Sequence, residues 1–293
     1  MTAKAYEPKT PSNGLINLRG VEHYYEWIVQ PDETQSKPVL VFIHGWGGSG
    51  RYWRSTAQAL ATDFDCLLYD MRGFGRSPLP NTPPTLSYEL EEYAEDLAAL
   101  LNAFNLDRVY LNAHSMGASV AVFFLNLYPE KVEKAILTCS GIFEYDEKAF
   151  KAFYKFGRYV VKFRYDWFLK VPLADRMFMA RFLHRPIPQK ERQAFLEDYL
   201  LADFDAAMGT IYTSVSKKAV DVMPGEFARL QVPTLLVAGE KDIIIPAAMG
   251  KAAANLNPEF VEYFEIPKTA HFPMLEDTDT YLPKVREFLG IGC

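Results

Sequence analysis

Three residues of the types used in nucleophilic hydrolysis occur in the order serine, aspartate, histidine: Ser115, Asp242 and His271. A serine hydroxyl is a weak nucleophile at neutral pH, so a histidine must accept its proton and later return it to the leaving group. A carboxylate must hold the imidazole in the correct tautomer and stabilise the imidazolium. The three residue types together predict acyl transfer through a covalent serine intermediate.

Ser115 lies in the stretch LNAHSMGA, residues 111–118. The apolar run from Val109 to Leu111 predicts a strand, and the alanine-rich run from Gly117 to Tyr128 predicts a helix. Ser115 is therefore expected on a sharp strand-to-helix turn, where small residues two positions on either side avoid a clash. Ala113 stands where glycine is more usual. The pattern is weak alone and becomes informative only with a base, an acid and an oxyanion hole.

The candidate acid and base follow two later predicted strands. Asp242 lies in the loop GEKD after strand 232–239, and His271 lies in the loop TAHFP after strand 261–266. Functional groups in open α/β sheets gather outside the carboxyl ends of the strands, so we expect both near Ser115. Structural alternatives exist for each: Asp242 as a helix cap, His271 as a loop histidine, and Glu240 as a rival acid.

A glycine-rich loop, HGWGGSG at residues 44–50, follows the fully apolar strand 39–43. Such a loop could cradle phosphate, but its spacing matches neither the dinucleotide-binding pattern nor the P-loop. We interpret it as an oxyanion-hole loop, in which the amides of Trp46 and Met116 bind the tetrahedral oxyanion.

Four other polar residues near these loops are predicted to be structural. His44 should tie the glycine-rich loop down, and His114 should pack beside Ser115. Asp70 and Arg72, in the loop DMRGFGRS, can brace neighbouring turns through charge-assisted hydrogen bonds. An acid at a strand end also has a catalytic alternative, so Asp70 is a lesser candidate.

Composition bounds the class of protein. The 293 residues are 49% hydrophobic, enough for one large α/β domain or a core with an insertion. The net charge of -6 gives no general reason to expect nucleic acid. Cys66, Cys139 and Cys293 lack zinc-ligand spacing and are expected as reduced thiols; no metal or cofactor is implied. With no signal peptide or membrane span visible, the cytoplasm is the default expectation.

Strands and helices alternate along the chain except between residues 142 and 222, which are predicted to be helix after helix. We therefore expect a doubly wound, mostly parallel sheet with a helical cap inserted after the sixth strand. The predicted core is residues 1–141 and 223–293, and the predicted cap is residues 142–222.

The cap sequence is strongly basic. Residues 148–192 contain twelve basic and three acidic residues, a net +9, which leaves -15 for the rest of the chain. Three interpretations stay open. The segment is a cap helix that packs on the core with its lysines in water, a lid at a membrane surface with its lysines near anionic headgroups, or a site for an acidic partner or substrate. The predicted helix has a basic face of Lys148, Lys151, Lys155, Arg158 and Lys162, and an apolar face of Ala149, Ala152, Phe153, Phe156, Val160 and Phe163.

The motifs HGWGGS, DMRGFGRS, AHSMG, GEKD and HFP together resemble the α/β-hydrolase superfamily. The likeness covers about residues 15–141 and 223–290. Within the superfamily, the chain is similar to the capped branch of serine esterases, lipases and C–C hydrolases. Ser115 argues against the epoxide hydrolase and haloalkane dehalogenase branches, which use an aspartate at this position.

The sequence thus predicts a hydrolase that cleaves a small-molecule carboxylic ester with an apolar acyl or aromatic group. A thioesterase, lactonase, C–C bond hydrolase or lyase would share the same three residues. A non-catalytic ligand receptor on a hydrolase fold is the alternative outside enzymes. The sequence identifies no substrate-binding residue and no oligomeric state.

Overall fold

One eight-stranded sheet forms the centre of the protein. A computed structural model describes residues 10–30, 37–144 and 146–292. The strand order is β1-β2-β4-β3-β5-β6-β7-β8; β2 pairs antiparallel with β1 and β4, and the strands from β4 onward pair in parallel. The strands are β1 (Ser12–Leu18), β2 (Val21–Ile28), β3 (Val39–Ile43), β4 (Asp65–Tyr69), β5 (Val109–His114), β6 (Val132–Thr138), β7 (Thr234–Gly239) and β8 (Val261–Ile266).

Helices cover both faces of the sheet, which explains why the central strand β3 is continuously apolar. In β3, Val41 and Ile43 point to one core, whereas Leu40 and Phe42 point to the other. The helices at residues 90–103, 116–127 and 217–228 pack on the first face, and those at residues 54–60 and 278–289 pack on the second. The helices outside the segment between β6 and β7 are α1 (Arg54–Leu60), α2 (Leu90–Ala103), α3 (Met116–Leu127), α9 (Ala247–Asn255), α10 (Pro273–Glu276) and α11 (Thr278–Leu289). The predicted doubly wound α/β fold is confirmed.

The segment between β6 and β7 is helical, as expected for an insertion after the sixth strand. It contains a 3₁₀ turn at Asp166–Lys170. The predicted boundary at residue 222 falls inside its last helix, α8, whose Met223 and Phe227 lie in the sheet's core; the exact core and cap limits therefore stay a prediction. The helices are α4 (Glu147–Lys162), α5 (Ala174–Met179), α6 (Gln189–Leu201), α7 (Phe204–Ser214) and α8 (Lys217–Ala228).

The buried face of α4 differs from the predicted apolar face. Ala152 and Phe163 are exposed, whereas Phe150, Gly157 and Val161 are buried. The helix carries two overlapping apolar stripes, and its packing against α7 selects the stripe that the hydrophobic pattern alone does not distinguish. The side chains of residues 149, 153 and 156 lie outside the description. The predicted basic face is exposed throughout: Lys148, Lys151, Lys155, Arg158 and Lys162.

Among the helices of the described residues, none combines the length and the apolar character needed to cross a membrane.

Candidate active site

Ser115 sits on a tight turn between β5 and α3. Its backbone has φ 54° and ψ -122°, a conformation that side-chain-bearing residues rarely adopt. Its amide donates to the carbonyl of Thr138 at 2.9 Å, which holds the turn against β6. A Cβ on Gly117 would lie 2.3 Å from the carbonyl oxygen of His44, so only glycine lets α3 begin this close to β3. The turn therefore presents the Ser115 hydroxyl at the carboxyl edge of the sheet.

Ser115, His271 and Asp242 form one hydrogen-bonded chain. Nε2 of His271 lies 3.0 Å from Oγ of Ser115, and Nδ1 lies 2.7 Å from Oδ2 of Asp242. The ionised carboxylate can only accept, so Nδ1–H donates to it and leaves Nε2 able to accept the serine proton. The other carboxylate oxygen accepts the amides of Ile244 and Ile245 at 2.8 and 3.1 Å, which fixes its orientation.

The electrostatics keep Asp242 ionised. Burial acts to raise the pKa of this carboxyl, but the His271 ring and the two backbone amides outweigh it, and the net pKa is below its usual value. Glu240, the rival acid, is exposed, pairs with Lys241 at 2.7 Å and accepts the amide of Lys268 at 2.8 Å. The acid in contact with His271 is therefore Asp242.

Two backbone amides beside Ser115 are available as donors. Met116 is the first residue of α3, so its N–H has no intrahelical acceptor, and Trp46 lies in the turn closed by Gly48 N–H and the Gly45 carbonyl. In the described part of the chain, neither amide has a hydrogen-bond acceptor. A Cβ on Gly45 would lie 3.1 Å from Cβ of Ser115, so the glycine-rich loop at residues 44–50, called the β3 loop below, lies directly against the serine.

A buried hydrogen-bond chain that the sequence analysis missed connects the β3 loop to the His271 loop. The Gly45 amide donates to Oη of Tyr52 at 2.5 Å, and Tyr52 donates to Nδ1 of His114 at 2.9 Å. Nε2–H of His114 then donates to the His271 carbonyl at 2.7 Å. Burial and the nearby His271 ring hold the pKa of His114 well below 6.5, so the ring stays neutral. No local pattern marks Tyr52, because its partner lies 62 residues away.

His44 and Asp70, which were expected to be structural, hydrogen-bond to the backbone of neighbouring loops. Nδ1 of His44 donates to the Gly45 carbonyl at 2.8 Å, and Nε2 accepts the Met71 amide at 2.8 Å, so this ring joins the loops after β3 and β4. Burial lowers the pKa of His44 to about 4. Asp70 accepts the amides of Gly50 and Arg76, each at 2.8 Å.

Arg72, the fourth residue expected to be structural, forms a buried ion pair with Asp96 at 2.8 Å.

His114, Cys139 and His271 offer ligand atoms within 4.8 Å of one another. Both nitrogens of each histidine are already hydrogen-bonded, and reaching a metal would break the contacts to Tyr52, Ser115 or Asp242. Burial, together with the nearby Asp242 carboxylate, raises the pKa of the Cys139 thiol, which disfavours the thiolate that binds metals. The donor set therefore suits the hydrogen-bond chain and not a metal.

Aromatic side chains from the segment between β6 and β7 lie above the Ser115–His271 pair. The Phe182 ring is 6.1 Å from the His271 ring, and the Phe182 carbonyl accepts the His271 amide at 2.9 Å. Phe178 packs 4.5 Å from Tyr199, which is 6.1 Å from the indole of Trp46. These contacts place an aromatic cluster against His271 and Trp46.

Glu276 fastens the same segment to the His271 loop. One carboxylate oxygen accepts the amides of Ala270 and Phe272, and the other accepts the amides of His184 and Arg185. Because one buried carboxylate accepts all four amides, it fixes the position of the His271 loop relative to residues 184 and 185. No local sequence pattern marks this residue either, because its contacts to residues 184 and 185 span about ninety positions.

Known proteins share this architecture. A protein of Pseudomonas savastanoi pv. phaseolicola named "Putative carbamate hydrolase RutD" is 28% identical over 243 residues, covering 75% of this chain and 82% of the relative. A "Putative esterase/lipase" of Haemophilus influenzae is 25% identical over 265 residues, covering 89% and 86%. The crystal structure of a bromoperoxidase from Bacillus anthracis superposes with a TM-score of 0.79 at 22% identity, covering 95% and 100%.

The family model described as "alpha/beta hydrolase fold" matches residues 38–278, which include Ser115, Asp242 and His271. The chain belongs to the α/β hydrolase fold family.

Proposed function

We propose that this hydrolase cleaves carboxylic esters through an acyl intermediate on Ser115, with His271 as the base and Asp242 as its orienting acid. The observation that carries the proposal is the position of His271, 3.0 Å from the serine hydroxyl and 2.7 Å from the carboxylate, beside a serine on a strained turn. The amides of Trp46 and Met116 are proposed as the oxyanion hole.

The proposed reaction proceeds in two halves. Oγ of Ser115 attacks the ester carbonyl carbon while its proton passes to Nε2 of His271, and the two amides stabilise the tetrahedral oxyanion. The intermediate expels the alcohol, which takes the proton from His271, and leaves an acyl-serine. Water then attacks the acyl carbonyl with His271 as base, and the carboxylic acid leaves as Ser115 regains its proton. Throughout, Asp242 stabilises the imidazolium.

An apolar acyl or aromatic substrate is the proposed class. The rings of Trp46, Phe178, Phe182 and Tyr199 above the serine support it, since they offer contact area and few polar groups. The name of the Haemophilus relative is consistent with an ester substrate, and the name of the Pseudomonas relative indicates a carbamate, whose hydrolysis would use the same acyl transfer.

A substrate panel tests the proposal. Wild-type protein, Ser115→Ala and the surface control Ser55→Ala are assayed with p-nitrophenyl esters of short to long acyl chains, thioesters, lactones and an aryl carbamate. We expect esters to be the best substrates and Ser115→Ala to lose at least about 10³-fold in kcat/KM, with Ser55→Ala unchanged. Preference for another bond would replace the ester assignment. Absence of multiple turnover on every substrate would favour the receptor alternative.

A further inference from the structure

A row of aromatic side chains lies on the outer surface of the segment between β6 and β7. Neighbouring rings contact one another along the row, with centroid separations of 6.0, 6.3, 6.2 and 4.6 Å. A contiguous exposed apolar surface of this kind indicates an interaction site, unlike single exposed apolar residues. We call this row the aromatic patch: Tyr159, Phe163, Tyr165, Trp167 and Phe168.

Packing against the described residues 10–30, 37–144 and 146–292 leaves the aromatic patch exposed. Trp167 is 55% exposed, the most of the four tryptophans, and no residue of the 3₁₀ turn Asp166–Lys170 is buried. Leu173 and Met177 continue the apolar surface onto α5 and are 64% and 75% exposed. These side chains leave large apolar areas in water, which a contact with another surface would remove.

Cationic side chains border the aromatic patch. Arg158, Lys162 and Lys170 are exposed, and Nζ of Lys162 lies 5.9 Å from the Phe163 ring. Of the two carboxylates between residues 159 and 177, Asp175 is buried and paired with Arg192 at 2.9 Å, so Asp166 is the exposed one. The positive charge is local, because residues 148–192 carry +9 in a chain of net charge -6.

We propose that the aromatic patch and its bordering cations bind the headgroup layer of a membrane that contains anionic lipid. Tyrosine and tryptophan rings favour the interface between headgroups and acyl chains, and lysine and arginine side chains near it gain from anionic headgroups. A symmetric contact with a second copy would bring two strongly basic segments together, and the like charges would oppose it.

The apolar surface that extends the aromatic patch shares α5 with one of the rings that connect to His271. Leu173 and Met177 face outward at α5, while Phe178 of the same helix contacts Tyr199 and lies 5.8 Å from Phe182, which in turn packs against His271. A membrane on this surface would therefore be one helix away from the proposed catalytic histidine. The catalytic role of His271 in this statement rests on the proposed function, whereas membrane binding does not.

Tryptophan fluorescence of the whole protein gives a direct readout. Trp27 and Trp53 are buried and Trp46 is half-buried, with its indole N–H bonded to the Ala207 carbonyl, so Trp167 is the indole that a membrane would desolvate. We expect vesicles of phosphatidylcholine with about one third phosphatidylglycerol to shift the emission to shorter wavelength, and vesicles of phosphatidylcholine alone to shift it far less. Trp167→Phe should abolish the shift. Equal shifts with both vesicles, or none, would overturn the proposal.

Vesicle sedimentation separates the contributions of charge and rings. Reversing three cations (Arg158→Glu, Lys162→Glu, Lys170→Glu) should weaken binding to the anionic vesicles at least about tenfold, and so should added salt. The matched control makes the same change of net charge at three exposed cations elsewhere (Arg108→Glu, Arg229→Glu, Lys251→Glu) and should bind as wild type. Unchanged binding after the triple reversal would contradict the proposal. A second outcome would also contradict it: the wild-type protein is a dimer, and Phe163→Ser and Trp167→Ser dissociate the dimer but leave vesicle binding unchanged. The aromatic patch would then bind a second copy of the chain.

Discussion

The hydroxyl of Tyr52 lies 2.9 Å from Nδ1 of His114 and accepts the Gly45 amide at 2.5 Å. His114 in turn donates to the carbonyl of His271 at 2.7 Å. One buried phenol thereby connects the loop that carries the proposed oxyanion donor with the loop that carries the proposed base. Because its hydroxyl bonds the Gly45 amide on one side and the His114 ring on the other, we expect it to position both loops.

Removing this phenol hydroxyl should slow the chemical step more than it weakens substrate binding. Tyr52→Phe leaves a buried Gly45 donor and a His114 acceptor unpaired, at a cost of about 1–3 kcal/mol in the free energy of unfolding. The resulting displacement of the loops should lower kcat about 10- to 100-fold and change KM little. Steady-state kinetics with the best ester of the panel measures this.

Tyr281→Phe is the matched control for that experiment. Tyr281 is also fully buried, and its hydroxyl contacts Thr138 at 3.0 Å and Asn112 at 3.1 Å, neither of which belongs to the two loops that Tyr52 connects. We expect it to lose comparable stability and to keep its kcat. Equal losses of kcat in the two variants would show that Tyr52 acts only through stability.

The choice between the two candidate acids is testable by exchange of carboxylate for amide. Asp242→Asn removes the charge that stabilises the His271 imidazolium and can leave the imidazole in the wrong tautomer, so kcat should fall about 10⁴-fold. Glu240→Gln changes an exposed side chain paired with Lys241 and should leave kcat within about twofold of wild type. The assay is ester hydrolysis with circular dichroism as a check of folding. A larger loss in Glu240→Gln would contradict the assignment of Asp242.

The buried His44 ring should make stability depend on pH. Its pKa is about 4 in the folded chain, against 6.5 for an unperturbed histidine, so the unfolded chain binds the proton more readily. The neutral ring therefore contributes stability above pH 6.5, and this contribution is lost as the pH falls towards 4. Between pH 7 and pH 5 the loss should be roughly 2 kcal/mol.

Urea unfolding of wild type and His44→Gln at both pH values isolates this contribution. The variant has no ring to protonate, so its destabilisation relative to wild type should be about 2 kcal/mol smaller at pH 5 than at pH 7. The same difference at both pH values would show that His44 is not the titrating group.

The elements that bear the predicted site residues could be read from the sequence because each signal is local. Ser115, Asp242 and His271 each follow a strand, and β5, β7 and β8 end at the same edge of one sheet because they run parallel. Because the strands are parallel, three loops that are distant in sequence meet at one site. The hydrophobic pattern and the loop motifs carry this much without any knowledge of side-chain contacts.

The parts that were missed depend on contacts between distant segments. The local sequence around Tyr52 and Glu276 matches no motif that would single them out. Their roles follow only from hydrogen bonds to residues that are distant in sequence. The buried face of α4 was predicted wrongly for a related reason. Phe163 fits an apolar helical stripe, but α7 packs against the neighbouring stripe and leaves Phe163 in solvent.

Labelling with a fluorophosphonate tests the central claim most directly, because the reagent phosphonylates a serine only when a neighbouring base activates it. The account predicts one adduct per chain, located by peptide mass spectrometry on Ser115, formed more slowly in His271→Ala and in the presence of a good ester substrate. An adduct on another residue, or labelling of Ser115→Ala at the wild-type rate, would contradict it.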